Sequence, residues 1–64
     1  VSRWAGWERA RGSWRDYPEG TMARDHIGCE WVKLASGWWR AVGGDVFPTP
    51  GASAMWVRLP EGAR

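Results

Sequence analysis

The ten residues from Ala35 to Gly44, "ASGWWRAVGG", govern how this chain is read. A glycine precedes two adjacent tryptophans, and an arginine and a glycine pair follow. On a strand, neighbouring side chains point to opposite faces, so Trp38 and Trp39 cannot both enter one core. With Cys29 to Leu34 ("CEWVKL") upstream, the segment reads as the returning arm of a β-hairpin. A two-residue turn at Ser36-Gly37 sets Leu34 opposite Trp39 and Val32 opposite Ala41. The core face is then Val32, Leu34, Trp39 and Ala41, and the reverse carries Trp31, Lys33, Trp38, Arg40 and Val42. A three-residue turn through Ala35-Ser36-Gly37 exchanges Trp38 and Trp39 between those faces. The first register is the expectation, with Trp39 as the core anchor and Trp38 outside.

Working outward, Gly20 to Arg24 ("GTMAR") reads as a strand before the hairpin, with a turn at "RDHIG" between them. Met55 to Leu59 ("MWVRL") is the last strand, closed by Pro60. Its core side is Met55, Val57 and Leu59. Residues 43–54, "GGDVFPTPGASA", read as a loop, because prolines and glycines do not sustain a ladder. The spacing predicts a mainly β fold, either a small antiparallel meander or an SH3-like barrel of about four strands.

Before this β domain (residues 18–64) lies an N-terminal segment, residues 1–17, rich in Trp and Arg. Trp4, Trp7, Arg11 and Trp14 fall at helical spacing, with Ser2 available as a cap. Gly6 and Gly12 each weaken such a helix by about 1 kcal/mol. A short helix or an ordered arm, stopped at Tyr17-Pro18, is expected. It either docks on a neighbour or folds back over its own sheet.

Composition narrows the classes. Sixty-four residues make one domain near the lower size limit for unaided folding. Cys29 is the single cysteine, so no disulfide forms within the chain; the usage suits a reducing compartment. His26 and Cys29 are the only soft ligands, too few for a closed zinc site, and no cofactor motif is present. Seven tryptophans instead supply heavy core mass and, in excess, interface residues. The formal charge of +2 resides on the first sixteen residues; beyond them five basic and five acidic residues cancel. A nucleic-acid binder normally carries a denser basic stripe. No apolar run approaches the roughly 20 residues of a membrane span, and no signal peptide is visible, so a cytoplasmic or virion location is expected.

Three strands share one small pattern: Trp31-Val32-Lys33, Trp38-Trp39-Arg40 and Trp56-Val57-Arg58. Each sets a tryptophan and a cation two residues apart, on one face of its strand. Such a mixed face is either a ladder of cations lying over indoles within the molecule or a surface covered by a partner. Stacking on nucleic-acid bases is a further reading. Phe47, before Pro48, either stands exposed or plugs an open end of the sheet. The candidate partner-binding residues are therefore Trp4, Trp7, Arg11, Trp14, Trp31, Lys33, Trp38, Arg40, Phe47, Trp56 and Arg58.

Catalytic groups do not assemble in the same way. Asp25-His26 with Cys29 is the nearest approach to an activated thiol. Cys29 however falls in an alternating strand, where a small buried residue is expected. "GWWRAVGG" lacks the lysine and following helix of a phosphate-cradling loop. A non-enzymatic protein is expected.

Gly20-Thr21, Arg24-Asp25, Gly28, Trp31-x-Lys33 and Gly37-Trp38-Trp39 together resemble a pattern in small proteins of actinobacteria and their phages. There a strand with Gly-Thr and Arg-Asp leads into a Trp-bearing hairpin. The resemblance spans Pro18 to Arg40. It implies a small β fold and a GC-rich bacterial or phage source, in keeping with the Arg, Ala, Gly and Trp usage, and it implies no activity. The expectation is an assembly or interaction module binding protein subunits, such as a minor capsid, decoration or tail-associated protein. The alternatives are a single-stranded nucleic-acid-binding domain and a small inhibitor of a host protein.

Overall fold

A computed structural model describes residues 6–61. Six short strands form one antiparallel sheet: β1 (Glu8–Arg9), β2 (Met22–Asp25), β3 (Glu30–Lys33), β4 (Trp39–Ala41), β5 (Val46–Phe47) and β6 (Ala54–Arg58). The spatial order is β1-β6-β2-β3-β4-β5. Four consecutive strands thus lie side by side, and β6 returns to the free side of β2. One 3-10 turn, Trp14–Asp16, is the only helical element among the described residues, and none is long and apolar enough to cross a membrane.

The four expected strands are present, and two more accompany them. Of the two forms expected for the N-terminal segment, the described residues take the ordered arm folded back on its own sheet and not the helix: Glu8–Arg9 pairs with β6, and a 3-10 turn follows. Gly6 and Gly12 explain the difference, because both hold left-handed backbone, at φ 83° and 67°, that no right-handed helix contains. Trp4 lies outside the described residues. Within 43–54, Val46–Phe47 pairs with β4 before Pro48 ends the ladder. Two residues suffice there because Pro48 falls just beyond the paired stretch.

The decisive correction concerns the β3–β4 register. Trp31 pairs with Ala41, Val32 with Arg40 and Lys33 with Trp39, so the connection is the three-residue loop Ala35-Ser36-Gly37. Leu34 N–H donates to Trp38 C=O at 2.8 Å, and Gly37 N–H donates to Leu34 C=O at 3.0 Å. Gly37 closes the loop at φ 94°, a left-handed conformation that costs other L-residues about 1–2 kcal/mol. The same loop joins β2 to β3 through His26-Ile27-Gly28, and β4 to β5 through Val42-Gly43-Gly44. Each has the same pair of hydrogen bonds.

This register inverts the expected face of β3. Directly paired residues share a face, so Val57, Ala23, Trp31 and Ala41 form one row across four strands. A second row on that face contains Lys33, Trp39 and Phe47. Trp39 is fully buried and Trp38 is 46% exposed, each as expected. Trp31 and Lys33, however, lie on the packed face, whereas Val32 and Leu34 lie on the outer one.

Trp14 and Tyr17 cover Trp39 on the packed face, their ring centroids 5.5 Å and 6.4 Å from it, in edge-on geometry. Lys33, only 6% exposed, donates from Nζ to the carbonyls of Trp14 (2.9 Å) and Arg15 (3.0 Å). Its ammonium also lies 5.6 Å from the Trp39 ring centre, a cation–π arrangement. The Tyr17 hydroxyl donates to Arg11 C=O and accepts from Arg11 N–H, tying the N-terminal segment to this plug.

If the left-handed glycine sets the register, Gly37→Ala lowers stability by about 1–2 kcal/mol in urea titrations. Gly43→Ala, whose backbone is not left-handed and whose added Cβ meets nothing within 4 Å, changes stability by less than about 0.5 kcal/mol.

Candidate interaction site

The two faces of the sheet divide the Trp and cation residues by purpose. On the outer face, Arg9, Trp56, Arg24 and Glu30 form one cross-strand row over β1, β6, β2 and β3. The Arg9 guanidinium lies 6.0 Å from the Trp56 ring centre. Arg24 lies 4.3 Å from the Trp7 ring centre, and its Nε donates to Glu30 Oε2 at 2.9 Å. These cations and indoles therefore contact one another within the chain. Arg40 and Arg58 are exposed on the same face, Arg58 beside Gly6. Arg11 is exposed at the N-terminal segment.

The stripe expected on one face is thus split. Trp38, Trp56, Arg40 and Arg58 share the outer face, while Trp31 and Lys33 face the packed side. Trp14 serves the core. Three tryptophans envisaged as a stacking platform, Trp31, Trp38 and Trp56, do not lie on one surface.

Phe47 and Trp31 instead belong to a feature that the strand pattern did not single out. Beyond the Trp14–Tyr17 plug, the packed face stays open as an apolar cleft of about 470 Å³. Its walls are Trp31, Phe47, Ala41 and Val42, and its floor and rim include Gly28, Cys29 and Gly51. Gly51 packs closely on this wall: a Cβ there would stand 3.2 Å from the Trp31 ring, which would have to shift slightly to admit it. Of the lining residues, Val42 is 83% exposed and Phe47 42%. Val42 opens the β4–β5 hairpin loop, where polar residues are usual. An apolar side chain at that loop position was the sequence signal for this site.

Asp25 builds the rim. Its Oδ1 accepts from Ile27 N–H (3.0 Å) and Cys29 N–H (2.8 Å), and its Oδ2 accepts from the Ser53 hydroxyl (3.1 Å). Burial works to raise its pKa, and the hydrogen bonds from Cys29, Ser53 and Ile27 outweigh it, leaving the carboxyl below its ordinary value. Cys29, expected to be buried, is exposed because the β2–β3 loop ends at Gly28 and leaves the thiol at the cleft edge. The negative charge of Asp25, followed by partial burial, raises the Cys29 pKa. This is the opposite of an activated thiolate. Asp25 thus orders the loop instead of orienting His26, which is exposed.

Comparison with known protein families, curated proteins and solved structures finds no match to the chain.

A depressed carboxyl pKa stabilises the fold above the unfolded-state value of about 3.9, and this contribution is lost as pH falls through the lower folded value. Asp25→Asn therefore melts lower than the parent at pH 7, and the gap closes towards pH 2. Thermal melts followed by circular dichroism across that range read both effects.

Proposed function

We propose that this protein is a non-enzymatic interaction module, which docks a protein partner through the open end of its packed face. The single observation that carries this reading is the apolar cleft between Trp31 and Phe47, with the exposed Val42 in its wall. Exposed apolar surface of this kind, rimmed by polar groups, is characteristic of docking sites. The outer-face cations support the same choice of surface, because Arg9 and Arg24 are occupied with Trp56 and Trp7. Nucleic-acid stacking would need those groups.

We further infer an SH3-like roll as the finer description of the fold. Its support is the strand order, in which β6 lies against β2 and β2 to β5 follow in sequence. For the setting we infer a phage or bacterial assembly, in which the module is a minor capsid, decoration or tail-associated subunit. The resemblance of residues 18–40 to small actinobacterial and phage proteins is its support.

Cys29 provides a test, since its thiol stands at the cleft. A benzophenone attached there by maleimide chemistry is expected to cross-link a discrete partner in lysate of the source cells. The same label on Glu19→Cys, in a Cys29→Ala background, is expected to give none. The combined Val42→Asp and Phe47→Asp changes abolish the cross-link while far-UV dichroism stays unchanged. Equal cross-linking from both label positions would remove the proposal.

A further inference from the structure

Charge is shared unevenly between the two faces of the sheet, and folding is what separates it. Along the chain the formal excess of +2 falls in the first sixteen residues. Strand pairing regroups it. One cross-strand row on the outer face holds Arg9, Trp56, Arg24 and Glu30, and the next holds Arg58, Met22, Val32 and Arg40. Four arginines thus share this face with one carboxylate, Glu30, which Arg24 holds. The other acidic residues lie elsewhere. Glu8 and Asp25 are on the packed face, Asp16 is in the 3-10 turn that covers it, and Glu19, Asp45 and Glu61 are outside the strands. The outer face is therefore more positive than the whole chain.

Its guanidiniums fall into two groups. Arg24 is engaged by Glu30 and the Trp7 ring, and Arg9 lies over Trp56. Arg40 and Arg58 are exposed and form no ion pair among the described residues. They end one row, on β4 and β6, with β3 and β2 between them. Three strand spacings of about 4.8 Å set their backbones about 14 Å apart. The ground between is aliphatic. Met22 and Val32, both half-buried, border with Arg40 a shallow depression of about 150 Å³. Glu30, already neutralised by Arg24, stands at its edge.

We propose that the outer face binds an acidic segment of a protein partner, with carboxylates on Arg40 and Arg58 and an apolar side chain between them on Met22 and Val32. An extended segment advances about 3.3 Å per residue, and alternate side chains share a face. Residues i and i+4 then set carboxylates about 13 Å apart, with residue i+2 directed at the depression. Guanidinium–carboxylate pairs supply direction as well as attraction. A single-stranded nucleic acid fits less well, because holding it takes bare aromatic platforms along a continuous basic track. Here Trp7 and Trp56 lie against Arg24 and Arg9, and Trp38 is the exposed indole. The cleft opens on the opposite face, so the two surfaces are occupied independently.

The test is a titration of 15N-labelled protein with the capped pentapeptide Glu-Thr-Val-Thr-Glu at low salt, followed at the amides of Met22, Val32, Arg40 and Arg58. Saturable shifts are expected with Kd on the order of 1 mM, weakening at physiological salt as exposed charges are screened. Capped Lys-Thr-Val-Thr-Lys is expected to bind at least about tenfold more weakly. Arg40→Glu combined with Arg58→Glu, checked for an otherwise unchanged spectrum, is expected to reverse that order. Equal affinity for the two pentapeptides would overturn the proposal, as would absence of shifts up to about 10 mM peptide. Tighter binding of the trinucleotide TpTpT, whose two phosphodiesters match the carboxylates in charge, would assign the face to nucleic acid instead. Shifts confined to Gly28, Gly43 and Gly51 would place the peptide in the cleft, against this proposal. None of these outcomes alters the Cys29 cross-link expected of the cleft.

Discussion

A glycine in left-handed conformation ends each of three consecutive hairpin loops, and the rest of the molecule depends on where those glycines stand. Gly28, Gly37 and Gly44 each close a three-residue connection and so fix the register of β2, β3, β4 and β5 against one another. Side-chain direction alternates along a strand, so one residue more or less in a loop turns every following side chain to the other face. With these loops, Lys33 meets Trp39 and Trp31 meets Ala41 on the packed face. With a two-residue β3–β4 loop, Val32 and Leu34 would have taken those places.

What packs there is unusual for so small a sheet. Few aliphatic side chains are buried; Trp39 dominates, with Ala23 and Ala54 clustered against it and Val57 buried on β6. Small residues beside one large ring leave room for the Trp14–Tyr17 plug to reach Trp39. Lys33 is tolerated because its stem lies against the ring while its ammonium satisfies two carbonyls of the 3-10 turn. The core is therefore completed by a segment more than fifteen residues away in sequence, held by a buried cation.

The same economy limits how far the sheet can be covered. The N-terminal segment closes one end of the packed face, and the other end remains as the cleft beside Trp31 and Phe47. Both edges are short: β1 is Glu8–Arg9 and β5 is Val46–Phe47, followed by Pro48. Charge at one edge and proline at the other discourage indiscriminate strand pairing. Apolar contact at this molecule is thus channelled to the cleft and its rim.

Local chemistry made much of this legible in the sequence. The mainly β character, the four central strands, the burial of Trp39 and the exposure of Trp38 follow from alternation and turn residues. The cleft that unites Phe47 and Trp31 was not apparent, because alternation placed Trp31 on the outer face and left Phe47 either exposed or plugging the sheet end. Alternation repeats every two residues, so it cannot tell which face of a strand is the inner one. At Cys29 to Leu34 either face offers an aliphatic or a Trp–Lys set, and only pairing with β2 and β4 chooses. The two-residue strands β1 and β5 carry too few residues to show a period at all. The buried role of Lys33 required Trp14 and Arg15 to be brought beside it by tertiary folding, since nothing within a few residues of Lys33 satisfies its charge. The sequence by itself determined the class of fold and the inventory of aromatic anchors. Tertiary structure decided which anchors remain on the surface, because that depends on loop register and on what the N-terminal segment covers.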